Sequence, residues 1–219
     1  MLKLYSLRIP KIDGDSLKKY MSLVSKQRQD KVNRQKNEAK RHQVLFAAVM
    51  LRAILCENLK LKNSELQFGI SSYGKPYLLN ENLLHFSISH TEGLVSVAVS
   101  DKNVGVDCEK IRAINKKLCE RYFTDQEAEY VNSSDSDYEA RFFEIWTMKE
   151  AFGKYKGDGF LKIASVSVLS DDIKGKFSVY NDGGYVISCI SESEKDNVIS
   201  QSDSEILLNK FINDKNNVI

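Results

Sequence analysis

Proline is nearly absent: the 219 residues contain two, Pro10 and Pro76. With no low-complexity tract either, nothing marks a flexible linker between separable domains. The four cysteines, Cys56, Cys108, Cys119 and Cys189, form no C-x-x-C pair. That excludes a zinc ribbon and a secreted disulfide framework. No stretch reads as the roughly 20 apolar residues of a membrane span, and the opening MLKLYSLRIPKID lacks the apolar run of a signal peptide. A cytoplasmic protein without a membrane partner is expected. Charge excess is missing too, with 32 Lys+Arg against 30 Asp+Glu and a net +2. No general nucleic-acid-binding surface is expected, and any basic function must be local. A G-x-x-x-x-G-K-[ST] phosphate loop is also absent, which argues against a phosphotransferase of the ATP-binding P-loop kind.

What is present is a core-building content of 42% hydrophobic residues, enough for one large domain or two small packed halves. Leu2 and Leu4 alternate with Lys3 and Tyr5, an opening strand, and Leu17, Tyr20, Met21 and Val24 recur at helical spacing. A basic stretch from Lys26 to Arg41 leads into a long amphipathic helix carried by Val44, Leu45, Ala48, Leu51 and Leu55. Three β-rich runs follow, LLHFSIS, LVSVAVS and NVGVDCE, joined by short polar turns. Short connections predict antiparallel neighbours. Thr124 and Glu127 have the spacing of a capping box. Tyr138 to Tyr155 is the strongest helix signal, and beyond Gly157 and Gly159 the runs ASVSVLS, GKFSVY and GGYVISCI predict strands. The reading is α+β, in two halves, 1–103 and 104–219.

Four constellations carry chemistry. In Gly105-Val106-Asp107-Cys108-Glu109, the two acids sit two apart on a strand and share a face, so both carboxylates can meet one hard cation. Alone, the pattern equally fits a solvated strand edge. In the helix, Trp146, Glu150 and Lys154 fall at i, i+4 and i+8, with Lys149 on the flank. A plain surface ion pair fits them as well, and so does a third metal-binding carboxylate followed by a phosphate-neutralising ammonium. Ser89-His90 ends a strand where a hydroxyl and an imidazole can meet phosphate, and Gly74-Lys75-Pro76 makes a turn bearing a lysine. Each of these is also common in a purely structural role.

Taken in order, YGKPY, FSISH, GVDCE and WTMKEAFGK resemble the motifs of the 4'-phosphopantetheinyl transferase superfamily, in its large, surfactin-synthetase-activating type. The most specific part is G-x-D-x-E followed about 40 residues later by W-x-x-K-E-x-x-x-K. The similarity spans nearly the whole chain. It implies that family's fold, two similar α/β halves packed as a pseudo-dimer, each with an antiparallel sheet and a long helix. It implies Mg2+, with Mn2+ as an alternative, on Asp107, Glu109 and Glu150. Coenzyme A would be the substrate, contacted by Arg28, Lys31, Gly74, Lys75, Pro76, Ser89, His90 and Lys154, with His90 on the 3'-phosphate and Arg41 as a third basic contact. Glu150 would act as general base and Lys154 on the leaving phosphate, while Trp146 and Lys149 pack and position the helix. The acceptor would be a serine of an apo acyl or peptidyl carrier protein, whose docking surface the sequence does not identify; the helix around Leu45 and the loop from Ala113 to Thr124 are candidates. A chain holding both halves of the site would work as a monomer. Cys108 stands where the family carries an aliphatic residue and is expected to face the core as a small hydrophobe. The alternative is a coenzyme A binding interaction protein that has lost transfer chemistry, for which decay of the acidic and lysine positions is expected; all are present.

Overall fold

The structure, a computed structural model, describes residues 1–72, 74–79, 84–157, 164–193 and 195–219, and of 195–197 the backbone alone. Tyr73, Leu83 and Gly159, each part of a sequence expectation, lie outside the described residues. The elements in order are β1 (Leu2–Arg8), α1 (Gly14–Met21), α2 (Lys26–Asn33), α3 (Glu38–Leu59), β2 (Phe68–Ile70), β3 (Pro76–Leu78), β4 (His85–Thr91), β5 (Leu94–Ser100) and β6 (Val104–Lys110). There follow α4 (Lys117–Tyr122), α5 (Asp125–Asn132), α6 (Tyr138–Lys156), β7 (Phe177–Asp182), β8 (Tyr185–Ser191), β9 (Lys195–Ile199) and a C-terminal helix, Gln201–Asn213. The α+β expectation holds.

Two main sheets divide the core. One has the order β4-β5-β1-β9 and packs α3 on its face; the other, β6-β8-β7, packs α6. The first helix starts where Asp13 Oδ1 accepts the Ser16 amide at 2.8 Å, and α2 starts at Ser25, whose hydroxyl accepts from Arg28 N. These are ordinary N-caps that satisfy orphan amides. The helix α3 departs from expectation. It is not amphipathic but buried on every side from Gln43 to Leu55, and by length and composition it would also pass for a membrane span. Phe46, Met50 and Ile54 are fully enclosed, each such side chain contributing about 1.5–3 kcal/mol relative to exposure. It is the helix on which the first core is built.

Two further expectations are corrected. β4 and β5 pair antiparallel as expected, but β6 does not join them; it steps into the second sheet and pairs antiparallel with β8, Val104 opposite Ser191 through Lys110 opposite Tyr185. And 164–170, ASVSVLS, forms turns in place of a strand. Val166 and Val168 do pack into the second core, which explains the alternation. Their backbone partners are side chains: Lys149 Nζ donates to Ala164 O and Val166 O, and Glu127 Oε1 accepts from Val168 N. The tail crosses back. β9 pairs parallel with β1, and Leu208, Phe211 and Ile212 of the C-terminal helix enter the first core.

Candidate active site

The two sheets meet along β4 and β6, and side-chain hydroxyls join them. Ser87 Oγ accepts from Val106 N at 3.0 Å, Ser89 Oγ donates to Asp107 Oδ1 at 2.6 Å, and Thr91 Oγ1 donates to Glu109 Oε2 at 3.0 Å. Because strand side chains alternate, every second residue of β4 from Ser87 onward is a hydroxyl facing β6. The carboxylates of Asp107 and Glu109 are thus both oriented from one strand. Val106 and Cys108 point the other way, into the core between the sheets, and burial pushes the Cys108 thiol up to about 12. It is the inert buried hydrophobe the sequence led us to expect.

The helix α6 lies directly against β6. A Cβ on Gly105 would run into Ala151 O and come within 2.7 Å of Tyr155 N, so only glycine lets strand and helix approach this closely. That approach brings the last two turns of α6 over the acids. Lys154 Nζ donates to Asp107 Oδ1 at 2.7 Å and to Val106 O at 3.0 Å. One turn earlier, the half-buried Glu150 carboxyl is pushed up to about 7, first by burial and then by repulsion from Asp107, Glu109 adding to it and Lys154 opposing. Asp107, Glu109 and Glu150 therefore share one electrostatic neighbourhood, although they come from elements about 40 residues apart. The helix ends at Gly157, in the left-handed region at φ 75°.

Beside these acids opens a cleft of about 690 Å3. Its wall includes Arg28, Lys31, Gly74, Pro76, Ser89, His90 and Lys154, all of them singled out from sequence. Lys75 is the exception. Its ammonium turns away to Val104 O at 3.1 Å and Lys154 O at 2.7 Å, where burial lowers it to about 8. It braces β6 against the end of α6, and the turn itself is made by Gly74 at φ 83°. Arg41 is not part of the wall. His90 is held down to about 4 by burial, then by the charges of Lys40, Lys154 and Lys31, and its buried Nδ1 has no hydrogen-bond partner. A buried polar atom without a partner, facing cations, is suited to an anionic ligand.

Sequence reasoning missed four residues here. Arg34 and Arg52 belong to the cleft wall. Thr91, and Arg112 at 2.9 Å, both hold Glu109 Oε2. The period-two series Ser87, Ser89, Thr91 and the lone charge Arg52 inside the apolar run of α3 were the available signals.

Whether the acids suit a divalent ion can be tested on the same contacts. Among the described residues no three His, Cys, Asp or Glu side chains stand as a ready metal shell. Lys154 and Arg112 pair with Asp107 and Glu109 instead. The donors are nonetheless all hard oxygens, the type Mg2+ takes. Glu150, raised first by burial and then by Asp107, is a carboxyl whose anion a cation favours, so the chemistry of the donor set fits the group.

Comparison with known proteins agrees with this geometry. Residues 13–102 match the family model described as 4'-phosphopantetheinyl transferase, N-terminal, and residues 103–205 match that of the 4'-phosphopantetheinyl transferase superfamily. The chain is similar to 4'-phosphopantetheinyl transferase Sfp of Bacillus subtilis (strain 168), 28% identical over 170 residues, 76% of each chain. It is similar to 4'-phosphopantetheinyl transferase ffp of Bacillus subtilis, 30% identical over 182 residues, 81% of this chain and 80% of the relative. To 4'-phosphopantetheinyl transferase gsp of Aneurinibacillus migulanus the identity is 31% over 161 residues, 73% and 67% of the two chains. With both halves of the chain matched and the motif residues gathered around one cleft, the chain belongs to the 4'-phosphopantetheinyl transferase superfamily, in its Sfp-like type.

Proposed function

We propose that this chain moves the 4'-phosphopantetheine arm of coenzyme A onto a serine of an apo acyl or peptidyl carrier protein, releasing adenosine 3',5'-bisphosphate. One observation carries the reading: Lys154 lines the anion-ready cleft and at the same time holds Asp107 at 2.7 Å. Binding surface and acidic cluster are therefore a single site. In this reading Arg28, Lys31 and His90 hold phosphates, Gly74 and Pro76 shape the nucleotide pocket, and Ser89 orients Asp107. Lys75 acts from behind by fixing the end of α6.

Asp107, Glu109 and Glu150 would hold Mg2+ or Mn2+, and the bound ion would neutralise charge on the diphosphate. The carrier serine loses its proton to a Glu150 carboxylate oxygen as its Oγ attacks the β-phosphate, and the bond from that phosphorus to the bridging oxygen breaks. Lys154 Nζ donates to the departing α-phosphate oxygen. Stabilisation of charge at the two oxygens is where preorganised cations contribute most.

We further read the two sheets, each with one long helix, as halves of a pseudo-dimer. Residues 1–103 would supply nucleotide and phosphate contacts, and 104–219 the metal site and catalytic helix. The protein would act in the cytoplasm as a monomer, without nucleic acid or membrane. The test is direct. Incubated with coenzyme A, Mg2+ and several apo-carriers, the protein should add the mass of the phosphopantetheine arm to at least one of them. Binding of coenzyme A with no modification of any carrier would favour the interaction-protein alternative.

A further inference from the structure

The cationic side of the cleft is in contact with a residue that does not line it. Arg52, 6% exposed, sits in the cleft wall within α3, and its guanidinium lies 5.1 Å over the Phe68 ring. Its Nη1 donates to Asn63 Oδ1 at 2.7 Å and to Asn63 O at 3.2 Å. Both acceptors are neutral. Arg52 is therefore aimed without being neutralised, and it feels the like charge of Arg28 across the wall. A carboxylate at position 63 would fix the same geometry and cancel the charge.

The other end of Asn63 is equally used. The side chain is fully enclosed, and its Nδ2 donates to Leu23 O at 2.9 Å and to Asn217 O at 2.5 Å. Leu23 lies two residues before Ser25, the N-cap of α2, whose first turns carry Arg28 and Lys31. Asn217 belongs to the segment that returns to this side of the molecule, where Ile219 N also donates to Ser22 O at 3.0 Å. One buried amide thus joins three chain segments, each either forming the wall or bracing it. Buried networks with every member satisfied have a single low-energy arrangement.

We propose that Asn63 is a positioning residue of this cleft: it holds Arg52 through neutral acceptors, so that its charge faces an anionic ligand, and anchors the start of α2, with 215–219 as the brace. The inference rests on the coenzyme A reading of the cleft. It concerns affinity and not the chemical step, because none of these residues reaches the acids.

The test uses the full chain, with calorimetric binding of coenzyme A and of adenosine 3',5'-bisphosphate, together with transfer kinetics. Asn63→Asp and Asn63→Leu should each raise Kd and KM about tenfold while kcat stays within about twofold, a factor of ten being about 1.4 kcal/mol. Removing residues 215–219 leaves Arg52 its acceptors and should raise Kd by about threefold, a loss of the brace alone. Val131→Ala, a cavity in the other core, should lower the unfolding midpoint without moving KM. Wild-type affinity in a folded Asn63→Asp variant overturns the proposal, and so does a fall in kcat with KM unchanged. Should neither Asn63 variant fold, unchanged affinity after removal of 215–219 overturns it instead. A wild-type chain that ignores coenzyme A sinks the functional reading and this one with it, a result distinct from intact wild-type binding with unaffected variants.

Discussion

Lys154 Nζ and Asp107 Oδ1 stand 2.7 Å apart, joining the second half of α6 to the middle of β6. The same ammonium borders the cleft, where under the proposed reading it would also meet an incoming phosphate. Replacing it with a neutral side chain of similar length removes the charge where the leaving group departs. Lys154→Met should lower kcat by roughly 100- to 1,000-fold, the range for loss of one preorganised donor. Asp107→Ala should abolish transfer with the fold retained. Rates from intact-mass assays, with circular dichroism as the folding control, check both, and a fully active variant of either kind refutes the site.

Glu150 makes a pH prediction whose sign follows from its environment. Its carboxyl is raised from 4.5 to about 7 by burial and by Asp107 and Glu109. Between those values the folded chain keeps a proton that the unfolded chain has lost, so stability falls as pH rises through that window and is level above it. Without divalent ions, Glu150→Gln should remove this slope and stabilise the chain above pH 7 by about 1 to 3 kcal/mol, allowing for solvent at a half-buried group. Added Mg2+ should flatten the wild-type slope too. Urea midpoints between pH 4.5 and 8 are the measurement. Parallel curves for the two proteins would contradict the shared neighbourhood of the three acids.

His90 should be neutral in the free protein, because burial and three lysine charges hold it near 4. A phosphate placed against it reverses that field and favours imidazolium. Nuclear magnetic resonance of the three histidines should show one titrating near 4 in the free chain. Saturating adenosine 3',5'-bisphosphate should move it above about 6. His90→Ala should weaken coenzyme A about tenfold and its 3'-dephospho form by much less. Equal losses for the two ligands would remove the 3'-phosphate from this residue.

Strand and helix periodicity put Asp107 with Glu109 and Glu150 with Lys154, but only the ordered set of motifs, through its family resemblance, set those pairs apart from a solvated strand edge and a surface ion pair. That the two pairs come together depends on Gly105 admitting α6, which the sequence does not reveal. The exit of β6 from the first sheet was not legible. Its partner β8 lies about 80 residues later, and a short turn after β5 reads the same whichever sheet the next strand joins. Nor was the role of Lys75, whose motif suggests phosphate but whose ammonium finds two carbonyls first. Residues 164–170 failed for a related reason. Alternating valines report burial, and only the backbone partners distinguish a strand from a turn.

Those partners lead to the last prediction. Lys149 and Glu127 are both fully buried and 2.8 Å apart, and between them they take up the backbone of 164–168 and the capping box of α5. Removing one charge leaves the other enclosed without its counter-ion. Lys149→Met or Glu127→Leu should each cost about 3–5 kcal/mol, whereas the double change Lys149→Met with Glu127→Leu should cost much less than the sum, since apolar replacements of a buried pair are often tolerated. The position of Glu150 on the next residue makes activity a second readout. If the pair serves only to seat α6, the double variant should regain stability and most of its transfer rate together. Recovered stability with transfer still lost would place Lys149 in the chemistry itself and overturn its assignment as a packing residue.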